Sequence, residues 1–341
     1  MLKTPTLSKW SYIQWDRYVK KPIDGYTALL PIPGDLPVFL KIALEVFATQ
    51  DSEGLVETLV IPDRKVSGFT ECFDKWKTKF DISSIRLINP NPIEQLIARY
   101  QNNPHNNHWL QIIRGINASV STHALLHDAD LFITKDDFMK THYQTCVKRN
   151  LMCLGVSPVW DLWYEEQGID HLTATWEIMF DISWARQFQP WEHRGHNGVV
   201  NGKAHTFDTM LYPQCQTKPD QIARHKQEWG FIHFNYVICT YRWFQKSNAP
   251  FEDDYFRILL IRLLINAFDP SEWSYSVPTL DVLEKGITDK SNRVTYCSKD
   301  TAKHYSEFRF KLEKLITSGI IDAQKACILH KSIRHFDLAF G

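Results

Sequence analysis

Two carboxylates one residue apart, Asp128 and Asp130, follow the apolar run Leu125-Leu126 and precede Leu131-Phe132-Ile133. In an extended backbone residues i and i+2 point to one face, so this spacing predicts that both carboxylates converge on a single hard cation. A cation held by oxygen ligands is a seat for a diphosphate, because it neutralises phosphate charge as a Lewis acid. A second chemical feature lies just downstream. Five of the 12 tryptophans, Trp160, Trp163, Trp176, Trp184 and Trp191, cluster there with Tyr164, Glu165 and Glu166. Indole faces stack on the C–H faces of sugar rings and carboxylates bind hydroxyls, so a saccharide site is expected among them, with most of the five in the core and one or two lining a cleft.

These groups need elements to position them. The segment Asn117 to His127 reads helical by its three- to four-residue steps, and Lys135-Asp136-Asp137 reads as a turn, which sets the acidic pair at the carboxyl end of a sheet. Upstream, Thr27 to Ile32 is an apolar strand ending in a Pro/Gly turn, followed by helical spacing over Leu36 to Phe47. A second strand, Glu57 to Ile61, ends in Pro62-Asp63-Arg64. A third, Ser84 to Ile88, ends in Asn89-Pro90-Asn91-Pro92 before a helix over Ile93 to Tyr100. Repeated β-loop-α units imply an α/β fold with a mainly parallel sheet flanked by helices. Phe138 to Arg149 reads as a helix and Leu151 to Val156 as a short strand. Phe251 to Phe268 and Ala302 to Phe340 carry long helical periodicities and predict a C-terminal helical extension, with a polar stretch at 287–300 between them and Pro270 to Pro278 as a linker.

The 341 residues balance 39 basic against 39 acidic side chains. Zero net charge with no Lys/Arg block argues against nucleic acid as a partner. Met1 to Lys21 mixes charges among its aromatics, so no signal peptide is expected, and the longest apolar stretch, Ile258 to Ala267, is too short to span a bilayer. Seven scattered cysteines without a C-x-x-C pair fit a reducing cytoplasm and buried structural thiols.

Taken in order, Leu29 to Pro33, the second strand ending at Asp63, the segment from Gly115 to His127 and Asp128-Ala129-Asp130 resemble the nucleotide-sugar half of GT-A fold glycosyltransferases, over about residues 26 to 240. The resemblance implies a sugar transferred from a nucleotide-sugar donor to a glycan or glycolipid acceptor, with Mn²⁺ or Mg²⁺ assisting departure of the nucleoside diphosphate. It implies a nucleotide-sugar half at 26–134, an acceptor half at 135–250, an N-terminal extension at 1–25 and the helical region at 251–341. It carries over a metal site of Asp128 and Asp130, with Asp128 also nearer the ribose, and a third, downstream ligand, for which His233 is the candidate while His193, His196 and His205 compete. Pro31, Pro33 and Asp63 would lie near the base and ribose. A carboxylate that takes the acceptor proton would come from Asp208, Glu192 or Asp181. Asp208 is favoured because it follows Gly195 to Gly202, a stretch expected to act as a mobile lid over the donor. Peripheral membrane contact is compatible with a glycolipid acceptor. Two rivals remain open: a nucleotidyltransferase making nucleotide-sugars, disfavoured because Pro31 to Pro37 holds one Gly and no basic residue, and a non-catalytic carbohydrate-binding protein.

Overall fold

A computed structural model of the chain describes residue 15 and residues 21–80, 84–225, 229–247, 255–270, 273–283 and 301–340. Its centre is a seven-stranded sheet in the order β10-β6-β7-β4-β1-β2-β3. The strands are β1 (Ile23–Ile32), β2 (Leu55–Pro62), β3 (Ile85–Leu87), β4 (Ser121–His127), β6 (Cys153–Gly155), β7 (Glu177–Asp181) and β10 (Ile222–Arg224). Strands β4, β1, β2 and β3 pair in parallel, as do β6 and β10, whereas β7 runs antiparallel to both β4 and β6. The expected α/β architecture, a mainly parallel sheet flanked by helices with a helical C-terminal region, is therefore what forms.

The sequence of β1 explains its place at the middle. Tyr26 to Ile32 is buried throughout, so no polar face is needed and the run reads as continuous rather than alternating. Its threonine hydroxyl, Thr27, is satisfied by Ser121 Oγ at 2.6 Å. Helix α1 (Val38–Phe47) is apolar almost all round because it is covered twice, by the sheet and by α10 (Tyr255–Phe268). Helices α2 (Phe69–Phe80), α3 (Pro92–Gln101) and α4 (Pro104–Ala118) fill the first half, α3 starting with a capping box at Asn91 and Glu94 and α4 with Asn103 accepting from Asn106 N–H. Helix α4 also finishes the strands beneath it: Gln111 Nε2 donates to the carbonyls of Ile32 and Ile61, and Arg114 to that of Pro62 at 2.7 Å.

The helix expected over Asn117 to His127 is not there. Helix α4 ends at Ala118, Ser119 caps it, and β4 follows. A strand buried on both faces loses its alternation, and its apolar residues then mimic helical steps. The stretch expected to be a lid is a regular hairpin, β8 (His196–Val200) with β9 (Lys203–Phe207), turned by Asn201 and Gly202 at φ 50° and 76°. Helix α6 (Trp163–Glu166) anchors it, with His205 donating to Asp161 at 2.8 Å and stacking on Trp163 at 3.8 Å.

Beyond the sheet, β5 (Leu131–Ile133) pairs antiparallel with β11 (Phe231–His233), followed by α9 (Val237–Ser247). Helices α10, α11 (Thr301–Thr317) and α12 (Ala323–Phe340) pack on one another, and their apolar side chains share one core with α1 and β1. The end of the expected linker joins this core, since Val277 is buried and the Arg262 guanidinium holds the carbonyls of Val277 and Pro278. The polar stretch at 287–300 lies outside the described residues. Among the described residues no helix is long and apolar enough to cross a membrane.

Candidate functional site

The sheet ends in a cavity of about 590 Å³ at the carboxyl ends of β1, β2 and β4. Asp128 and Asp130 stand on its wall, in a turn between β4 and β5 rather than in a strand, closed by Leu131 N–H donating to Asp128 O at 3.1 Å. Turn geometry, not strand alternation, brings the two carboxylates together.

His233 reaches the pair through strand register. On the β5–β11 ribbon Leu131 lies opposite His233, and Phe234 N–H donates to Asp130 O at 3.1 Å. The imidazole Nε2 lies 3.2 Å from Asp130 Oδ1, and Val237 N–H, at the start of α9, donates to Asp130 Oδ2 at 3.0 Å. One ligand atom each from Asp128, Asp130 and His233 fall within 4.8 Å of one another. Two carboxylate oxygens and an imidazole suit a divalent ion such as Mn²⁺. The donor set also leaves room for one: Asp128 Oδ1 and His233 Nδ1 are buried without a hydrogen-bond partner.

Electrostatics separates the two aspartates. Burial raises Asp130, but the hydrogen bond and charge of His233 and then Val237 N–H outweigh it and hold this carboxyl below its ordinary value. Burial, followed by the charges of Asp130, Glu177 and Asp208, pushes Asp128 well above its own. Behind Asp128, His127 Nδ1 pairs with Glu177 at 2.8 Å, fully buried. His108, on the first turns of α4, comes within 3.6 Å of Asp128 Oδ1, and burial holds its imidazole down to about 4 against the pull of Asp208.

Asp208 lines the same cavity, in the turn after β9, with one carboxylate oxygen accepting from Thr209 N–H at 2.7 Å. Glu192 does not. It closes a capping box on the 3₁₀ turn Pro190–His193, its carboxylate accepting from Gln189 N–H at 2.6 Å, and it is not among the cavity residues. Asp181 sits at the far end of β7, opposite His123 and so four residues along β4 from His127, where it caps α7 (Ile182–Gln187) through Trp184 N–H. His193, His196 and His205 are spent elsewhere, on Ala185 O, Arg194 O and Asp161.

Pro31, Pro33 and Asp63 line the cavity. Asp63 is engaged by the protein itself: it accepts from Gly34 N–H at 2.9 Å and pairs with Arg242 at 2.8 Å and Arg64 at 3.2 Å. Arg242, from α9, also clasps Asp35 at 2.7 Å, tying the loops after β1 and β2 together. Gly34 is required there, since a Cβ would stand 2.2 Å from Arg64 O. Of the tryptophan cluster, Trp160 and Trp176 line the cavity, while Trp184 is buried and Trp191 is exposed elsewhere.

The sequence did not point to His108, Arg242, Tyr236, or to Glu307, Phe310, Lys311 and Lys314 of α11, all of which line the cavity. An Asn-Pro helix start at 103–104 was a local signal that could have placed His108 on a helix; nothing local marks α11. Among the described cysteines no disulfide forms, and burial raises the Cys146 and Cys215 thiols to about 12 and Cys239 to about 11, as inert structural thiols require.

No protein-family profile and no curated protein matches the chain. Among solved structures it is similar to S. aureus TarS 1–349 in complex with UDP-GlcNAc, at 11% identity and a TM-score of 0.38, over 92% of this chain and 89% of that one. It is also similar to the mannosyltransferase PcManGT from Pyrobaculum calidifontis in complex with GDP-Man and Mn²⁺, at 11% identity and a TM-score of 0.40, over 98% and 91% of the two chains. In this chain the D-x-D turn lies at the carboxyl end of β4, within reach of His233.

Proposed function

We propose that this chain is a metal-dependent glycosyltransferase that moves a sugar from a nucleotide-sugar donor to a saccharide or glycolipid acceptor. One observation carries the reading: Asp128, Asp130 and His233 converge within 4.8 Å on the wall of a cavity that Asp208 also lines. A divalent ion held by the three would neutralise the charge that develops on a departing nucleoside diphosphate. The chain's own residues do the rest. Arg242 holds the loops carrying Asp35 and Asp63 in place beside the donor. Asp208 takes the proton of the attacking hydroxyl through the carboxylate oxygen that Thr209 N–H leaves free, and Glu192 stays a helix cap.

A nucleotidyltransferase would offer backbone N–H groups to phosphates in the loop after β1. Here Gly34 N–H is already given to Asp63. The experiment is a thermal-shift titration with UDP and GDP, with and without Mn²⁺. The proposal expects a nucleotide shift that requires the metal in the native chain and is lost in Asp130→Asn. A nucleotide shift that is equal with and without Mn²⁺, or none at all, refutes it; a lectin would give none.

A further inference from the structure

Aromatic rings exposed to water are few here, and they are not scattered. Among the described residues the exposed aromatics are Tyr100, Trp160, Trp191, Tyr236 and Phe310, and three of these, Trp160, Tyr236 and Phe310, line the one cavity that holds the carboxylates. They come from three remote parts of the chain: the loop after β6, the turn between β11 and α9, and α11. They keep 48%, 51% and 59% of their surface exposed. Leaving a large ring in water forgoes the burial that ordinarily recruits it, so three on a single cavity are more than packing requires.

Tyr236 is also held in an unfavourable backbone. Asn235 and Tyr236 both have positive φ, 33° and 62°, a left-handed pair that non-glycine residues adopt at a cost. Arg257 Nε donates to Asn235 O at 2.9 Å and Thr240 N–H to Tyr236 O at 2.9 Å, which fixes the turn directly after the His233 strand. The strained turn places an exposed phenol on the cavity that Asp128, Asp130 and His233 also line. Asp208 is close enough for its charge, after burial, to raise the Tyr236 hydroxyl. Groups that bind hydroxyls share the cavity with the rings: Asp208, and Glu307, Lys311 and Lys314 of α11.

The geometry points to an acceptor subsite formed by Trp160, Tyr236 and Phe310, which grips a saccharide by the C–H faces of its rings and presents a hydroxyl to Asp208. This rests on the transferase reading and goes beyond it, because it makes the C-terminal helix α11 part of the substrate site. Aromatic faces with flanking carboxylates and amines select a neutral, ring-bearing sugar over a lipid tail, which would need a continuous apolar groove.

The test uses the full-length chain on an array of immobilised oligosaccharides, beside the UDP and GDP titration with Mn²⁺ on the same samples. The native chain should retain a subset of the sugars, and Tyr236→Ala and Phe310→Ala should each bind them about 3- to 10-fold more weakly, the worth of one aromatic contact. Tyr236→Trp and Phe310→Trp, which keep a ring, should bind within about twofold of the native chain, and they decide the matter if an alanine variant melts early. Asp130→Asn should retain the sugars while losing the nucleotide shift. Retention of no oligosaccharide by the native chain, or equal retention by the alanine variants, overturns the subsite. Sugar retention that follows the rings in a chain without any metal-dependent nucleotide shift would instead uphold the subsite and sink the transferase reading.

Discussion

Replacing Arg242 with Met should loosen the whole nucleotide side of the cavity. The guanidinium is buried and spans 2.7 Å to Asp35 and 2.8 Å to Asp63, joining α9 to the loops after β1 and β2. Breaking a buried ion pair by removing one partner costs about 3–5 kcal/mol, because the other charge stays behind. Other donors remain here: Gly34 N–H and Arg64 for Asp63, and Gln245 for Asp35. The lower end, about 3 kcal/mol, is therefore expected. An independent route agrees. Burial works against ionisation of Asp35, yet Arg242 wins and draws its carboxyl down to about 2 from 3.8, and a shift of this size is worth about 2–3 kcal/mol. With an unfolding entropy near 0.7 kcal/mol/K for 341 residues, the melting temperature should fall by about 4 °C at pH 7. The pH dependence follows from the sign. A carboxylate whose folded pKa is depressed adds stability above its unfolded pKa, and this is lost as pH falls from about 4 to about 2. Arg242→Met should lose that increment of acid sensitivity as well. Calorimetric melting at pH 7, 4 and 2.5 checks both, and a fall below about 1 °C at pH 7, or an acid profile parallel to that of the native chain, refutes the reasoning.

Asp208→Asn should leave the Mn²⁺-dependent nucleotide shift intact and lower turnover by about two to four decades, whereas Glu192→Gln should keep turnover; the reverse pattern in a released-nucleotide assay would reassign the base. Hydrogen exchange across β8 and β9 should already be slow without ligand and unchanged by UDP or GDP with Mn²⁺, because the hairpin is laddered and pinned through His205; ligand-dependent slowing would restore the lid. His142 is buried, with its imidazole held down to about 3 by burial and then His225, so the fold keeps it neutral and loses stability as pH falls from about 6.5 toward 3. By pH 5 this group costs about 2 kcal/mol, and His142→Phe should shrink the drop in stability between pH 7.5 and 5 by that amount in urea unfolding.

What the sequence disclosed was local. The strands at β1, β2 and β3, the helices after them and the acidic pair each carry their own pattern within a dozen residues, and the structure has them within a few positions of where that pattern puts them. The failures were of two kinds. Buried strands lose alternation, which is why β4 read as a helix, though Asn103-Pro104 announces the true helix start and Ser121-Thr122 favours a strand. Glu192 read as a base because carboxylates near tryptophans invite that role. Yet Gln189-Pro190-Trp191-Glu192 has Pro at the first helical position and Glu at the third, the signature of a cap. The other contributors were out of reach of any local pattern. His108 approaches Asp128 only because α4 lies along the sheet, and Phe310 and Lys311 come to the cavity only because α11 packs beside β11.

The balance of charge across the cavity singles out Asp128. Five carboxylates, Asp63, Asp128, Asp130, Asp208 and Glu307, share its lining. Arg242 and Arg64 answer Asp63, and His233 with Val237 N–H answers Asp130. Asp128 faces only His108 among its described ion pairs, and burial keeps that imidazole neutral at pH 7. Burial first, and then three neighbouring carboxylates, push Asp128 well above its ordinary value. A buried, unmet negative charge is tolerated only where a proton or a cation can take its place. The deficit lies beside the one cluster of oxygen and imidazole donors found among the described residues, where a proton or a cation would relieve it.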